Sequence, residues 1–226
     1  MNKLYRKEEI LKLCTGKNVL HLGFIQHSNL YEQLIEKGIW LHEKINQVAK
    51  SLVGIDYLKD DVNIIAEKYN YECYYGDVTD LSGFNYSRIF DVIICGELIE
   101  HLENPGLMLD EVKRFMNDKT LLIITTPNPW SRQRLKLLKK GISEKEWLNE
   151  EHTCWYSFFT LKQLLERKGY QEFKYTYYSD ESVDEINMNY NTFLQNYMKI
   201  KGKLLRRNLP DYYLKGLFFI AKIDKQ

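Results

Sequence analysis

No apolar run in this 226-residue chain approaches the ~20 residues that cross a bilayer. Proline is scarce, at 4 residues, and the 4 cysteines (Cys14, Cys73, Cys95 and Cys154) form no CxxC pair. Cys95 falls on an apolar stretch, so the expectation is reduced, buried thiols. An excess of one charge is also missing. The 32 basic and 31 acidic residues leave a net charge of +1, which gives no bulk electrostatic pull on nucleic acid. The opening residues Met1 to Glu9 hold no apolar core of a signal peptide. Internal repeats and low-complexity linkers are absent. What is present is 44% apolar residues, enough for a sizeable core. These features predict a single cytoplasmic domain with no membrane span.

Taken in order, the pattern alternates strand and helix. Leu4, Ile10, Leu11 and Leu13 sit among charges, as in an amphipathic helix over 3–14. Asn18 to Leu22 reads as a strand, and a helical stretch interrupted at Gly38 runs to about Lys50. Strands are expected at 52–56, 71–77, 90–95 and 119–126, with helices over 59–69 and 106–117 between them. Parallel strands need crossover helices, so the alternation predicts an α/β, doubly wound Rossmann-like sheet with helices on both faces. After Pro129 the pattern changes. A basic helical segment spans 131–149, a helix 159–168, an aromatic strand 170–178, a helix 184–207 and a last strand 216–223.

The chemistry concentrates after Phe90-Asp-Val-Ile-Ile-Cys95. This run reads as a strand buried on both faces, and it releases Gly96, Glu97, Glu100 and His101 at its end. Open α/β sheets bind ligands at the C-terminal ends of their strands. Asp56 and Asp77 end two further strands. A carboxylate at the first position suits ribose hydroxyls and one at the second suits an exocyclic amine. Both acids would equally serve as caps of the following helices.

On these residues the chain resembles the class I S-adenosylmethionine-dependent methyltransferases. The matching pieces are Val19-Leu-His-Leu-Gly23, Gly54-Ile-Asp56, Gly76-Asp77, the stretch 90–101 and Leu121-Leu-Ile-Ile-Thr-Thr-Pro-Asn128. The central stretch is similar to ubiquinone-biosynthesis and sugar- or natural-product-tailoring O-methyltransferases. The resemblance implies seven strands with the last antiparallel. It also implies a cofactor site built from His21, Gly23, Phe24, Ile25, His27, Ser28, Asp56, Tyr57, Asp77, Val78, Gly96 and Glu97. Its first loop departs from the family's acid-x-Gly-x-Gly-x-Gly: only Gly23 remains, with Ile25 and His27 at the later glycine positions. That departure leaves a non-catalytic binding module on the same fold as an alternative; a nucleic-acid methyltransferase is another, against which the net charge of +1 counts. The missing glycine fingerprint also argues against a nicotinamide oxidoreductase.

For catalysis the candidates are His101, His152 and Glu100. A histidine can take the proton of an acceptor hydroxyl near neutral pH. Placed on a helix, Glu97, Glu100 and His101 would share a face. With His152 they are also candidate ligands of a divalent ion such as Mg²⁺. His42 beside Trp40 reads as a surface histidine near a core tryptophan. The cluster Arg132, Arg134, Lys136, Lys139 and Lys140 would meet an acidic substrate group or simply face water. The expected acceptor is a small molecule such as a sugar, glycan precursor or natural product. Segments 131–158 and 180–215 are the expected substrate lid, and the helix at 184–207 is a candidate dimer interface.

Overall fold

The computed structural model describes residues 4–25, 30–84, 87–146, 149–179 and 210–224. Eight strands form one sheet: β1 (Leu4–Tyr5), β2 (Asn18–Leu22), β3 (Ser51–Asp56), β4 (Cys73–Tyr75), β5 (Val92–Gly96), β6 (Leu121–Pro127), β7 (Tyr170–Ser179) and β8 (Gly216–Ile223). Their order is β1-β7-β8-β6-β5-β2-β3-β4. Both neighbours of β8, β6 and β7, pair with it antiparallel, and every other pairing is parallel. The seven strands expected from sequence are all present, with the last antiparallel. The eighth, β1, is a two-residue edge strand in a segment read as helix. It pairs Leu4 with Tyr178 and Tyr5 with Ser179, and the helix begins one residue later.

The helices are α1 (Arg6–Cys14), α2 (Tyr31–Glu36), α3 (Leu41–Val48), α4 (Lys59–Tyr69), α5 (Pro105–Glu111), α6 (Arg132–Lys139) and α7 (Phe158–Arg167). Alternation along the strands divides the core in two, because successive side chains point to opposite faces. Leu20, Leu22, Ile93, Cys95, Leu122 and Ile124 pack with α5 and α7 through Met108, Leu109, Leu161 and Leu165. Val19, Leu52, Val92, Ile94 and Ile123 pack with α1 and α3 through Ile10, Cys14, Leu41 and Ile45. Both faces are therefore covered, as near-continuous apolar strands require.

Three local readings change. The basic helix expected over 131–149 stops at Lys139, where Gly141 takes a φ of +74° that continues no helix. The helix expected over 106–117 is α-helical only to Glu111, and 3₁₀ from Val112 to Phe115. The third predicted strand shrinks to Cys73–Tyr75. Most of the expected insert over 180–215, with the candidate interface helix, lies outside the described residues. No helix among the described residues is long and apolar enough to cross a membrane.

Candidate active site at the ends of the central strands

From β2 the chain adds β3 and β4 on one side, then returns to lay β5 against the other side of β2. This reversal makes a crevice at the strand ends. A cavity of about 810 Å³ opens there, a size suited to a small-molecule ligand. Gly23 and Ile25 line it after β2, Asp56 and Tyr57 after β3, Asp77 and Val78 after β4, and Gly96 and Glu97 after β5. Glu100, His101, Glu151 and His152 also line it. Ten of the twelve residues expected at the cofactor lie within the described parts, and eight of them line this cavity.

The other two, His21 and Phe24, point elsewhere. His21 is 3% exposed and its Nδ1 lies 3.2 Å from Nδ1 of His42. Phe24 stacks on His42 and near Trp40. His42, expected at the surface, is fully buried. Alternation explains His21: Leu20 and Leu22 belong to one face of the sheet, so the residue between them faces the α3 side. His27 and Ser28 lie outside the described residues.

The glycine-poor loop is held by Asp56. Its Oδ2 accepts from the Ile25 N–H at 2.9 Å and its Oδ1 from Leu58 N–H at 3.2 Å. Burial raises the carboxyl's pKa, and the backbone donors of Ile25, Leu58 and Tyr57 oppose that rise. Gly23 is the one loop glycine that remains where geometry demands it. Its φ is +62°, and an added Cβ would sit 2.8 Å from Leu98. Asp77 accepts from the Thr79 N–H and hydroxyl at 2.8 and 2.7 Å.

Glu97 does not share a helix face with Glu100 and His101. It takes a left-handed φ of +56°, and the following turn, Ile99–His101, is 3₁₀. Its Oε1 accepts from the Tyr178 hydroxyl at 2.7 Å. The candidate metal group is reduced to Glu100, His101 and His152, whose ligand atoms lie within 4.8 Å of one another. Thr153 brings them together. Its N–H donates to the Glu100 carbonyl at 2.9 Å, and its hydroxyl donates to the carbonyls of Glu100 and Leu102 at 3.1 and 2.9 Å. The rings of His101 and His152 meet edge to face, with centroids 4.7 Å apart. His101 Nδ1 is 3.7 Å from Glu151 Oε2.

Glu100 is 1% exposed, and neither carboxylate oxygen makes a well-formed hydrogen bond. Burial first, then the nearby Glu97 charge, pushes its pKa well above the ordinary value; Thr126 and Arg6 relieve this only in part. The carboxyl is therefore held toward its neutral form. His152 Nδ1 is likewise buried without a partner. Burial, then the charges of His101 and Arg134, lower its pKa, and Glu97 and Glu151 oppose them. A neutral imidazole near neutral pH is the form that accepts a proton.

Of the basic cluster, Lys136, Lys139 and Lys140 are exposed, and α6 fully buries none of its residues. Arg134 stacks on Trp155 at 4.0 Å and donates to the Asn128 carbonyl at 2.7 Å. Sequence reasoning missed Arg6, Thr153 and Tyr178. Each acts on a residue far away in the chain, and no local spacing announces that.

Many solved structures are similar to the chain, and three of them show the extent of the likeness. A SAM-dependent methyltransferase from Archaeoglobus fulgidus is 18% identical, with a TM-score of 0.57 over 96% of this chain and 90% of that one. The methyltransferase bound to the Trm112 activator of Haloferax volcanii is 13% identical, with a TM-score of 0.59 over 97% and 88%. The plantazolicin methyltransferase BamL, determined with a triazolic desmethylPZN analogue and SAH, is 18% identical, with a TM-score of 0.54 over 96% and 82%. These likenesses concern the fold. No protein of curated function matches the sequence. A family model described as a methyltransferase domain matches residues 36–173. That match spans more than half of the chain and holds the β3, β4 and β5 ends together with both histidines, so this chain belongs to the methyltransferase-domain family, and its fold is that of the class I S-adenosylmethionine-dependent methyltransferases.

Proposed function

We propose that this protein transfers a methyl group from S-adenosylmethionine to a hydroxyl of a small acceptor such as a sugar, glycan precursor or natural product. The observation that carries the reading is the pair His101 and His152 lining the same cavity as Asp56 and Asp77. Bound S-adenosylmethionine supplies an electrophilic methyl on a sulfonium and leaves as a neutral thioether. Asp56, Asp77 and the 22–28 loop hold the nucleoside, with Glu97 toward the methionine end. The acceptor hydroxyl forms its new C–O bond and gives its proton to a histidine, for which the lowered pKa of His152 suits it. The wall of His101, Glu151 and His152 orients that hydroxyl in line with the methyl.

A second reading draws on the orphaned atoms of Glu100 and His152. With His101 they would hold a divalent ion, which would acidify a bound acceptor hydroxyl. Two imidazoles and one carboxylate suit zinc or a redox-type transition metal better than Mg²⁺, which prefers an all-oxygen shell. The donors would have to draw closer, since shared ligands lie about 2 Å from such an ion.

Calorimetric titration with S-adenosylmethionine and S-adenosylhomocysteine comes first, followed by a panel of sugars and phenols as acceptors. His152→Ala should lower turnover by about 10²- to 10⁴-fold and leave S-adenosylhomocysteine affinity unchanged. Loss of cofactor binding in that variant would remove the assigned role. Turnover abolished by a chelator and restored by zinc would favour the metal reading.

A further inference from the structure

Glu97 occupies a left-handed backbone conformation, φ +56°, that strains a non-glycine residue unless its surroundings impose it. The surroundings here come from three parts of the chain: Thr125, Arg6 and Tyr178. Thr125 of β6 accepts the Glu97 N–H with its carbonyl at 2.9 Å. The Thr125 hydroxyl accepts from Arg6 Nε at 2.9 Å. Arg6 lies directly under β5: an added Cβ on Gly96 would be 3.0 Å from its Nη2. Tyr178, near the end of β7, donates its hydroxyl to Glu97 Oε1 at 2.7 Å from a site only 4% exposed.

The phenol reaches Glu97 only because its neighbour in the sheet is glycine. Tyr178 pairs with Gly216 across β7 and β8, and a Cβ there would lie 2.0 Å from Tyr178 Cζ. On its other edge Tyr178 pairs with Leu4 of β1, two residues before Arg6. The short edge strand thus registers both groups that surround the β5 end. Burial and the Glu97 charge raise the phenol's pKa well above the ordinary value, so it remains a donor.

We infer that Tyr178 is a positioning residue: it fixes the Glu97 carboxylate at the cavity floor, strained and aimed, so that Glu97 meets the methionine end of the cofactor. Fold stability alone gives no reason for a carboxylate here, since glycine would adopt φ +56° without strain. The inference rests on the reading that Glu97 faces the cofactor.

The test uses Tyr178→Phe, Glu97→Gln, the pair together, and Tyr178→Phe with Glu97→Gly. Cofactor affinity is read by calorimetry with S-adenosylhomocysteine, and KM for S-adenosylmethionine and kcat are read once an acceptor is found. Tyr178→Phe should weaken cofactor affinity about tenfold, the scale of one charge-assisted hydrogen bond, and move kcat less than KM. In the Glu97→Gln background the same change should add less than about twofold, because the two residues act as one unit. Tyr178→Phe with Glu97→Gly should melt no lower than Tyr178→Phe alone while affinity stays weak, a combination that a purely structural tyrosine would not give. Affinity unchanged in Tyr178→Phe, additive effects in the double variant, or a Tyr178→Phe protein that cannot fold would each overturn the inference. Wild-type protein that binds neither ligand would instead sink the cofactor reading itself.

Discussion

At the scale of single residues, the buried imidazole pair sets an unusual pH dependence. His21 and His42 share one contact between their Nδ1 atoms, so one ring must donate and the other accept, and both must stay neutral. Burial, with the Arg6 charge second, lowers the His21 pKa to about 3. Burial, with His21 second, lowers that of His42 well below its ordinary value. In the unfolded chain both titrate near 6.5. Below that pH the unfolded state binds two protons that the folded state refuses, so stability falls as pH falls. Glu100 works the other way. Its raised pKa means the folded state keeps a proton that the unfolded state loses above about 4.5. Between roughly pH 6 and 5 the three groups leave a net difference of about one proton, or ~1.4 kcal/mol per pH unit. Urea denaturation at several pH values checks this. Glu100→Gln should steepen the decline and His42→Leu should flatten it; equal slopes in all three proteins would refute the assignment.

At the scale of elements, the junction of β6 and β8 depends on one amide. Asn128, 1% exposed, follows β6 and donates through Nδ2 to the carbonyls of Tyr212 and Leu214, both at 2.8 Å. Its Oδ1 accepts from Trp130 N–H at 3.0 Å, and its own N–H donates to the Lys215 carbonyl at 2.8 Å. Asn128→Ala leaves two carbonyls and one N–H without side-chain partners, and should cost roughly 2–4 kcal/mol at about 1 kcal/mol or more for each. Asn128→Asp should cost more at pH 7, turning a carboxylate on two carbonyl oxygens, and recover as pH falls toward its pKa. Denaturant titration of the two variants separates these outcomes. Such a junction is invisible in sequence, because Asn128 and Leu214 are tied by a bond that spans 86 residues. The strands themselves were legible, since Val92 to Cys95 and Leu122 to Ile124 are buried on both faces and so lack polar interruptions. Asp56 and Asp77 were legible for a related reason: an acid ending an apolar strand stands out. The shared helix face of Glu97, Glu100 and His101 fails because a 3.6-residue period does not survive a stretch that turns left-handed and then 3₁₀. His21 misled because its place in the motif outweighed the strand's alternation.

At the scale of the whole molecule, a net charge of +1 conceals a strongly uneven distribution. Asp56, Asp77, Glu97, Glu103 and Glu151 line the cavity beside the neutral Glu100, and no lysine or arginine does among the described residues. The β3, β4 and β5 ends and the 149–152 segment all deliver acidic side chains to one crevice, while Lys136 and Lys139 of α6 are exposed and Arg134, stacked on Trp155, is the α6 cation whose charge reaches His152. A crevice with low-dielectric walls concentrates such a field and favours a cation inside it. S-adenosylmethionine carries a sulfonium charge that S-adenosylhomocysteine lacks, and the two are otherwise nearly the same shape. Salt screens the cavity's field over a Debye length of about 10 Å at 0.1 M and about 3 Å at 1 M. Raising salt from about 0.05 to 0.5 M should therefore weaken S-adenosylmethionine binding several-fold, and S-adenosylhomocysteine binding distinctly less. Paired calorimetric titrations across that range measure the difference. Equal salt responses would show that the sulfonium does not feel these carboxylates, and would move the methyl-bearing end of the ligand away from Glu97 and the histidine wall.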